Sequence, residues 1–438
     1  MLKALFAKNL VRQLSLLISG TVLCQLINYA AMLVILRLYG PAEFGQFGAF
    51  NAVLQLLLPL AAFSLPTAIP LAGSRVQSKA LVSLSLWLSL AFFTAFLLFL
   101  LLEQRYFLAV FSLESIGNWV FLLPLALLLS ARLQLVQQSL LKLQQFHLVV
   151  RAEVLQAAGI NLARILLGCW QNVAAVLMAI AAVASGTNRW LLNRVAGAAL
   201  RAEWQPLNFQ PGRARYWLRL QRTLKQFRAF PLYQTPQLLL NGAAQNVPVL
   251  VLASLFGPST VGFYVLAKTL LELPAMLLSR AIGDLFYSHV TRLYQQQGAL
   301  DTMLMKATLS LAVLGLVPFG AVILWGPALF GWLFGAEWRQ AGDYARWMAL
   351  WLYFAFVNIP SVKAVMVLQL QHWAIVLNLL TLGLRILALY WVGVVTDNPV
   401  LAVAAFALVS SAHCVIFTAL ALGVSAARAR QLQGQLNR

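Results

Sequence analysis

The chain has 438 residues, of which 62% are apolar and only 10% are charged. Soluble domains are about half apolar and about a quarter charged. A surface that faces water cannot be built from so few charges, which excludes a soluble enzyme, and the apolar fraction is too high for a disordered chain. The composition therefore predicts an all-α polytopic membrane protein, in which about 12 helices of about 21 residues account for the apolar positions.

The net charge of +20 does not indicate a nucleic-acid partner. The basic residues are scattered through short segments between apolar stretches and form no compact basic domain, so we expect no nucleic-acid binding. Cys24, Cys169 and Cys414 each lie inside an apolar run and have neither a disulfide pattern nor a metal-ligand spacing. We therefore expect no metal site and no cofactor.

Twelve apolar runs are long enough to cross a bilayer as helices. In chain order they cover residues 14–36, 45–72, 80–102, 118–141, 153–171, 173–193, 229–254, 260–286, 305–325, 344–365, 373–394 and 399–424. The first run is too long for the apolar region of a signal peptide. We expect an N-terminal six-helix lobe over 1–193, a basic linker over 194–228 and a C-terminal six-helix lobe over 229–438.

The positive-inside rule orients these helices, because cytoplasmic loops carry an excess of Lys and Arg. With a cytoplasmic N-terminus, 21 of the 31 basic residues fall on the inner side and four on the outer side. This bias predicts that both termini and the linker are cytoplasmic.

The linker contains a candidate amphipathic helix over residues 213–228. Its apolar residues Trp217, Leu220, Leu224 and Phe227 follow helical spacing, while the cations fall on another face. This pattern is typical of a helix in the cytoplasmic membrane interface, with its cations near anionic headgroups. The alternative is a solvated linker helix.

Two segments half a chain apart are similar. Residues 38–47 read LYGPAEFGQF and residues 255–264 read LFGPSTVGFY, an offset of 217 residues. Each copy lies after the first helix of a predicted lobe. A duplication with six helices in each half gives both halves the same orientation, so we expect two lobes related by a parallel, MATE-like repeat around a central cavity.

Several kinds of chemistry are missing from the sequence. There is no G-x-x-x-x-G-K-[ST] phosphate-binding loop, no His/Glu or Cys/His cluster with metal spacing and no large outer loop that could hold a catalytic site. We therefore predict no catalytic residues. An ion or substrate gradient would have to drive any transport, which makes H⁺ or Na⁺ the candidate coupling ion.

Ionisable residues inside the spans are the informative ones, since each costs about 2.5–3.5 kcal/mol at mid-helix. The cations outnumber the acids, and a positive interior attracts anions. We predict that the cations line a substrate cavity and that the acids are candidates for ion coupling. The cations are Arg132, Arg164, Lys268, Arg280, Lys363 and Arg385, and the acids are Glu272 and Asp284.

Structural alternatives stay open for several of these residues. Lys268–Glu272 and Arg280–Asp284 have i, i+4 spacing and could be bridges within one helix. Arg280, Asp284 and Lys363 lie toward the cytoplasmic ends of their spans, where side chains can reach the interface.

Arg132, Arg164 and Arg385 lie deeper and are the better candidates for substrate ligands. His413 is more typical of a hydrogen-bonded packing residue than of a proton site. The repeat adds Asn28 and Gln245 to the cavity wall, because the offset of 217 aligns these two polar residues with each other.

The sequence resembles the Wzx-type O-antigen and polysaccharide flippases of the multidrug/oligosaccharidyl-lipid/polysaccharide (MOP) exporter superfamily. The resemblance rests on RLYGPAEFG at 37–45, LKLQQF at 141–146, GFYVLA at 262–267 and LFGAEW at 333–338. It implies twelve helices, a V-shaped cavity, alternating access and a location in the bacterial inner membrane. The family's substrates are undecaprenyl-diphosphate-linked sugars, moved from the cytoplasmic to the periplasmic leaflet, which agrees with a cationic cavity.

Three functions therefore compete. The first is a flippase for lipid-linked oligosaccharides, with the glycan lipid, membrane lipids and a polysaccharide polymerase with its chain-length machinery as partners. The second is an ion-coupled small-molecule antiporter of the same fold, although its drug-exporting branch would favour embedded acids. The third is a membrane-embedded glycan polymerase or ligase, which would need a larger outer loop.

Overall fold

The computed structural model describes residues 2–204, 214–295, 300–368 and 371–436. Within these ranges, the description leaves out some side chains. They are those of residues 2–19, 146, 195–204, 214–215, 273–282, 284–285, 287–288, 291–295, 366, 371–372, 428–429 and 431–436.

The described chain is helical nearly throughout and contains no β-strand within these ranges. Three short 3₁₀ segments and one π-helical turn join some of the α-helices. The α-helices are α1 (Leu2–Leu38), α2 (Pro41–Ala61), α3 (Arg75–Phe111), α4 (Leu122–Lys142), α5 (Phe146–Trp170), α6 (Ala174–Trp204), α7 (Ala214–Gln226), α8 (Thr235–Phe256), α9 (Pro258–Gln295), α10 (Leu300–Phe334), α11 (Arg339–Val357), α12 (Ile359–Val367), α13 (Gln371–Thr396) and α14 (Pro399–Leu436).

The prediction of an all-α polytopic membrane protein is confirmed. Among the described residues, ten helices are long and apolar enough to span a bilayer, and α11 with α12 gives an eleventh. The remaining predicted span, 260–286, coincides with α9, part of whose side chains lies outside the described residues.

Two predicted spans have different boundaries in the structure. The span predicted over 45–72 ends as an α-helix at Ala61, because Phe63 and Ser64 take positive φ values and a 3₁₀ segment follows over Leu65–Leu71. The span predicted over 344–365 is bent by 45° at Asn358, between α11 and α12. The cause is Pro360, which has no N–H for a helical hydrogen bond and whose ring blocks a straight helix.

The chain forms two compact units, Met1–Ser254 and Leu255–Arg438. In the first unit, α1 packs on α5, and α4, α5 and α6 pack on one another. This unit also includes most of α8, where Thr235 Oγ1 donates a hydrogen bond of 3.0 Å to Ser64 Oγ. The lobe boundaries at 193 and 229 stay a prediction, since the two units divide after Ser254.

The linker helix α7 packs antiparallel along the first half of α3. Gln77 Nε2 donates a hydrogen bond of 3.1 Å to Gln226 Oε1, and Trp87 Nε1 donates one of 3.3 Å to Tyr216 Oη. Ten residues separate the contacts on each helix, so the two helices follow each other for about 15 Å.

The predicted apolar face of α7 is divided between two environments. Leu220 and Phe227 are buried in a cluster with α3, while Trp217 and Leu224 remain exposed. Whether the exposed side meets lipid headgroups stays a prediction.

In the second unit, α11 is the central helix, since α9, α10 and α14 all pack against it. Phe263 lies at its N-terminal end with its ring centroid 6.0 Å from Trp338 and 6.2 Å from Tyr344. The α10–α11 crossing is close at Gly326, where an added Cβ would lie 2.7 Å from the carbonyl oxygen of Gly342. Glycines at this crossing allow the two backbones to approach.

The repeated sequence segments form equivalent helix–turn–helix connections. α2 begins at Pro41 and α9 at Pro258, which reproduces the offset of 217 residues. The turns differ locally: Gly257 has a φ of +80°, while Gly40 has a φ of −72° that any residue can adopt. A conformational need for glycine therefore exists only in the second copy.

Candidate functional site

Arg132 on α4 and Arg189 on α6 interact electrostatically. The two helices also meet where Ser130 Oγ and Ser185 Oγ lie 2.8 Å apart, two residues before Arg132 and four residues before Arg189. The Nε atom of Arg132 is buried and has no hydrogen-bond partner among the described residues. The structure thus brings a predicted site residue together with a second arginine.

Arg164 on α5 lies against the aromatic ring of Phe47 on α2. Its guanidinium carbon is 5.3 Å from the ring centroid, within the range of a cation–π interaction. The Nε atom of Arg164 is buried without a hydrogen-bond partner in the described chain. Its backbone carbonyl oxygen accepts a hydrogen bond of 3.1 Å from Tyr39 Oη.

The two predicted amides have different environments. Asn28 Oδ1 on α1 accepts a hydrogen bond of 2.7 Å from Asn161 Nδ2 on α5, so it connects two helices of the first unit. Gln245 on α8 has an exposed side chain. It lies one turn after Gly242, whose added Cβ would be 3.7 Å from the backbone of Gln55.

On α9, Lys268 and Glu272 form the predicted i, i+4 pair, with Nζ and Oε1 4.0 Å apart. The side chains of Arg280 and Asp284, further along the same helix, lie outside the described residues.

Lys363 on α12 extends over the α9 backbone at Gly283. A Cβ added to Gly283 would lie 2.7 Å from the Cε atom of Lys363 and 3.4 Å from its Nζ atom. A larger residue than glycine at position 283 would therefore displace the lysine.

Arg385 on α13 interacts electrostatically with His413 and Cys414 on α14. The same face of α14 contacts the bend between α11 and α12, since Thr418 Oγ1 donates a hydrogen bond of 2.9 Å to Asn358 Oδ1. His413 is 7% exposed, and its Nδ1 atom has no hydrogen-bond partner within the described ranges. These residues form a buried polar cluster in the second unit.

The predicted arginines share one property that bears on function. Arg132, Arg164 and Arg385 each have a buried Nε atom without a hydrogen-bond partner among the described residues. A guanidinium that is not fully hydrogen-bonded inside a spanning bundle is costly, and an anion is the group that would complete its bonding. Arg132 and Arg164 belong to the first unit and Arg385 to the second, so the prediction of one common cavity stays a prediction.

Sequence reasoning missed two residues of these clusters. Arg189 lies four residues before the end of the predicted sixth span, and the charge bias counts it as a residue of the inner span edge. Asn358 precedes Ile359-Pro360, and an Asn close to a Pro is a signal for a turn that could have indicated the break.

Solved structures with the same fold are membrane transporters. An inward-facing multidrug resistance MATE family transporter of the MOP superfamily matches 92% of this chain and 95% of its own length, with 13% identity and a TM-score of 0.68. The Lipid II flippase MurJ in an inward closed conformation matches 94% of this chain and 87% of its own, with 9% identity and a TM-score of 0.66. A MOP superfamily transporter from Pyrococcus furiosus matches 97% and 96%, with 11% identity and a TM-score of 0.53.

Identities this low establish a shared fold and nothing finer. None of the curated proteins matches the sequence. The profile of a family described as polysaccharide biosynthesis protein matches residues 34–343, which is most of the chain and extends from α1 into α11. The resemblance seen in the sequence motifs is thereby confirmed, and the chain belongs to the polysaccharide biosynthesis protein family, with the fold of MOP superfamily transporters.

Proposed function

We propose that the protein is a flippase that moves undecaprenyl-diphosphate-linked oligosaccharides from the cytoplasmic to the periplasmic leaflet of a bacterial inner membrane. It does so by alternating access, without enzymatic chemistry. The family match supports a role in polysaccharide biosynthesis, and the fold is that of proteins that transport or flip their substrates.

The observation that carries the proposal is that the half-buried residues Arg132, Arg164 and Arg385 each have a buried Nε atom that is unpartnered in the described chain. A diphosphate has several oxygens that accept charge-assisted hydrogen bonds, and the planar guanidinium fits such oxyanions better than an ammonium does. Acidic sugars would interact with the same positive potential. We assign these three arginines to the substrate pathway, with Lys268, Arg280, Lys363, Asn28 and Gln245 as further residues of its wall.

Transport against a gradient needs a coupling site, and Glu272 is our first candidate for it, with Asp284 the second. Glu272 is half-buried on α9 and its partner Lys268 is 4.0 Å away, at the limit of an ion pair. H⁺ or Na⁺ could bind the carboxylate in one state and Lys268 could neutralise it in the other, which would bias a two-state equilibrium.

An ion-coupled small-molecule antiporter is the second candidate function. It is favoured by the Lys268–Glu272 pair, because an acid inside a span can bind a coupling ion. Organic cations, however, would be repelled by the excess of cationic residues inside the spans.

Deletion of the gene in its host separates these functions. The flippase proposal predicts loss of surface polysaccharide, accumulation of the lipid-linked unit in the cytoplasmic leaflet, and recovery with the wild-type gene. Intact surface polysaccharide together with increased sensitivity to small toxic compounds would contradict it and support the antiporter. Short glycans that still reach the surface would contradict it in favour of a polymerase or ligase.

A further inference from the structure

Two segments of irregular backbone meet in the first unit. After α2 the chain passes through Phe63 and Ser64, whose φ values are +49° and +54°, and enters the 3₁₀ segment Leu65–Leu71. Directly before α8, the π-helical turn covers Phe230–Gln234. Left-handed backbone costs free energy in residues other than glycine, and both this strain and π-helical turns are frequent at functional sites. The place where the two segments touch is therefore a candidate for a moving part.

Two hydrogen bonds between side chains join these segments. Thr235 Oγ1 donates one of 3.0 Å to Ser64 Oγ, and Thr67 Oγ1 donates one of 3.3 Å to Gln234 Oε1. Ser64 is 4% exposed and Thr235 is 2% exposed, so the first of these bonds is shielded from water. We name these four residues the hydroxyl contact.

Each threonine of the hydroxyl contact also has an acceptor within its own segment. Thr67 Oγ1 lies 2.6 Å from the carbonyl oxygen of Ser64, and Thr235 Oγ1 lies 3.2 Å from the carbonyl oxygen of Phe230. A hydroxyl group has one hydrogen, so each threonine donates either across the contact or within its own segment. The segments can therefore separate without leaving a threonine hydroxyl unsatisfied, which is the costly outcome when a buried hydrogen bond breaks.

One side of the hydroxyl contact is fixed by the apolar core. Leu65 and Ile69 of the 3₁₀ segment are fully buried in a cluster with residues of α3 and α4. Phe230, the first residue of the π-helical turn, packs against the same cluster. If the contact opens, the 3₁₀ segment and Phe230 therefore stay in place, and the bending falls between Phe230 and Thr235.

The first half of α8 is held less firmly. All residues from 235 to 247 are described, and Thr235 is the one buried residue among them. Further along, α8 passes α2 at Gly242, where an added Cβ would lie at an ordinary van der Waals distance of 3.7 Å from the carbonyl oxygen of Gln55. The hydroxyl contact is thus the main anchor of the start of α8.

We propose that the hydroxyl contact is a latch that opens and closes during the transport cycle. The inference rests on the proposed function, because alternating access needs an element with two discrete arrangements. In the closed arrangement the two threonines donate to Ser64 Oγ and Gln234 Oε1. In the open arrangement they donate to the carbonyl oxygens of Phe230 and Ser64, and α8 turns about the π-helical turn.

A reversible crosslink tests the latch. The variant Ser64→Cys/Thr235→Cys is made in the full-length protein with its native cysteines replaced by alanine. Side-chain oxygens 3.0 Å apart place two sulfur atoms close to disulfide distance. Flipping of undecaprenyl-diphosphate-linked glycan in proteoliposomes is measured before oxidation, after oxidation and after reduction. We expect oxidation to abolish flipping and reduction to restore it, because the disulfide keeps the latch closed.

Ser130→Cys/Ser185→Cys is the matched control. Its side-chain oxygens lie 2.8 Å apart and join α4 to α6, two helices that pack on each other. This disulfide should leave the flipping rate unchanged. Titration of free thiols measures how much of each pair is crosslinked. Flipping at the normal rate by the fully oxidised Ser64→Cys/Thr235→Cys protein would overturn the latch and leave the proposed function standing. A folded variant of this pair that forms no disulfide would contradict the contact itself.

Spin labels provide a readout that needs no substrate. Leu71→Cys on the 3₁₀ segment and Leu240→Cys on α8 place labels at positions that are 68% and 54% exposed. Pulsed electron paramagnetic resonance of the full-length protein gives the distances between them. We expect Thr235→Val to increase the population at longer distances, because valine lacks the hydroxyl, and Thr235→Ser to resemble the wild type. An unchanged distribution in Thr235→Val would overturn the latch. If this distribution shifts as expected while the wild type flips no glycan lipid, the latch stands and the proposed function fails.

Discussion

The phenol of Tyr39 donates a hydrogen bond of 3.1 Å to the backbone carbonyl oxygen of Arg164. It links the turn between α1 and α2 to α5, the helix that carries a predicted site residue. Burial raises the pKa of the Tyr39 phenol, which keeps it a neutral donor. In the second copy of the repeated segment the equivalent residue is Phe256, so this hydrogen bond is specific to the first copy.

Gly168→Ala should destabilise the first unit. A Cβ at position 168 would lie 2.7 Å from the ring of Tyr39 and 2.8 Å from its hydroxyl oxygen, so the ring would have to move. Overpacking of this kind costs about 1–3 kcal/mol, and the unfolding temperature in detergent should fall. Gly159→Ala on the same helix is the control, because a Cβ there meets nothing within 4 Å. Equal unfolding temperatures for the two variants would contradict the packing at Tyr39.

Removing the charge at Arg132, Arg164 or Arg385 should impair glycan export while protein levels stay near normal. The measurement is surface polysaccharide in a deletion strain that expresses each variant. Lys should restore more export than Gln at each site, because it keeps the positive charge but not the guanidinium geometry. If the Lys and Gln variants produce the same amount of surface polysaccharide at all three sites, positive charge is not what these positions contribute.

Exchanging the charges of Lys268 and Glu272 tests ion coupling. The double variant Lys268→Glu/Glu272→Lys can still form an i, i+4 pair, so we expect a folded protein with normal abundance. Transport should nevertheless be lost, because the carboxylate no longer occupies the position that exchanges ions. Full transport by the double variant would mean that the pair only stabilises α9.

Shortening a leucine side chain to alanine should have different effects on the two faces of α7. Leu220 is buried against α3, so Leu220→Ala should cost about 2–5 kcal/mol of stability. Leu218 is 50% exposed on the same helix, and Leu218→Ala should have little effect. Thermal unfolding of both variants measures the difference, and similar values would contradict the packing of α7 on α3.

Single cysteines test the predicted orientation in a protein whose native cysteines are replaced by alanine. A membrane-impermeant thiol reagent added outside should label Ala336→Cys, in the loop before α11, but not Gln221→Cys on α7. Both side chains are exposed, so accessibility alone does not decide the result. Labelling of position 221 from outside would overturn the cytoplasmic placement of the linker.

Local signals in the sequence were sufficient for most of the helices. The apolar runs predict the spans because backbone groups in lipid must be satisfied within helices, and Pro41 and Pro258 mark helix starts because proline is favoured there. The boundary at Ala61 was missed, since an apolar run does not reveal the positive φ values of Phe63 and Ser64.

Long-range contacts were harder to infer. Helical periodicity predicts that α7 has an apolar face, but not that Leu220 and Phe227 pack on α3. The same limit applies to the site: the buried charges of Arg132 and Arg385 are visible in the sequence, whereas their neighbours Arg189 and His413 depend on which helices pack together. Pairings between α4 and α6 or α13 and α14 are set by tertiary packing and leave no local pattern.

Reconstitution of the purified protein into proteoliposomes tests the central proposal most directly. Undecaprenyl-diphosphate-linked glycan is placed in the inner leaflet, and its appearance outside is followed with a glycan-binding lectin. The flippase proposal predicts faster appearance with wild-type protein than with empty vesicles, and a much slower rate with a folded Arg132→Gln/Arg385→Gln variant. A rate equal to that of empty vesicles, from wild-type protein that restores surface polysaccharide in the deletion strain, would contradict it.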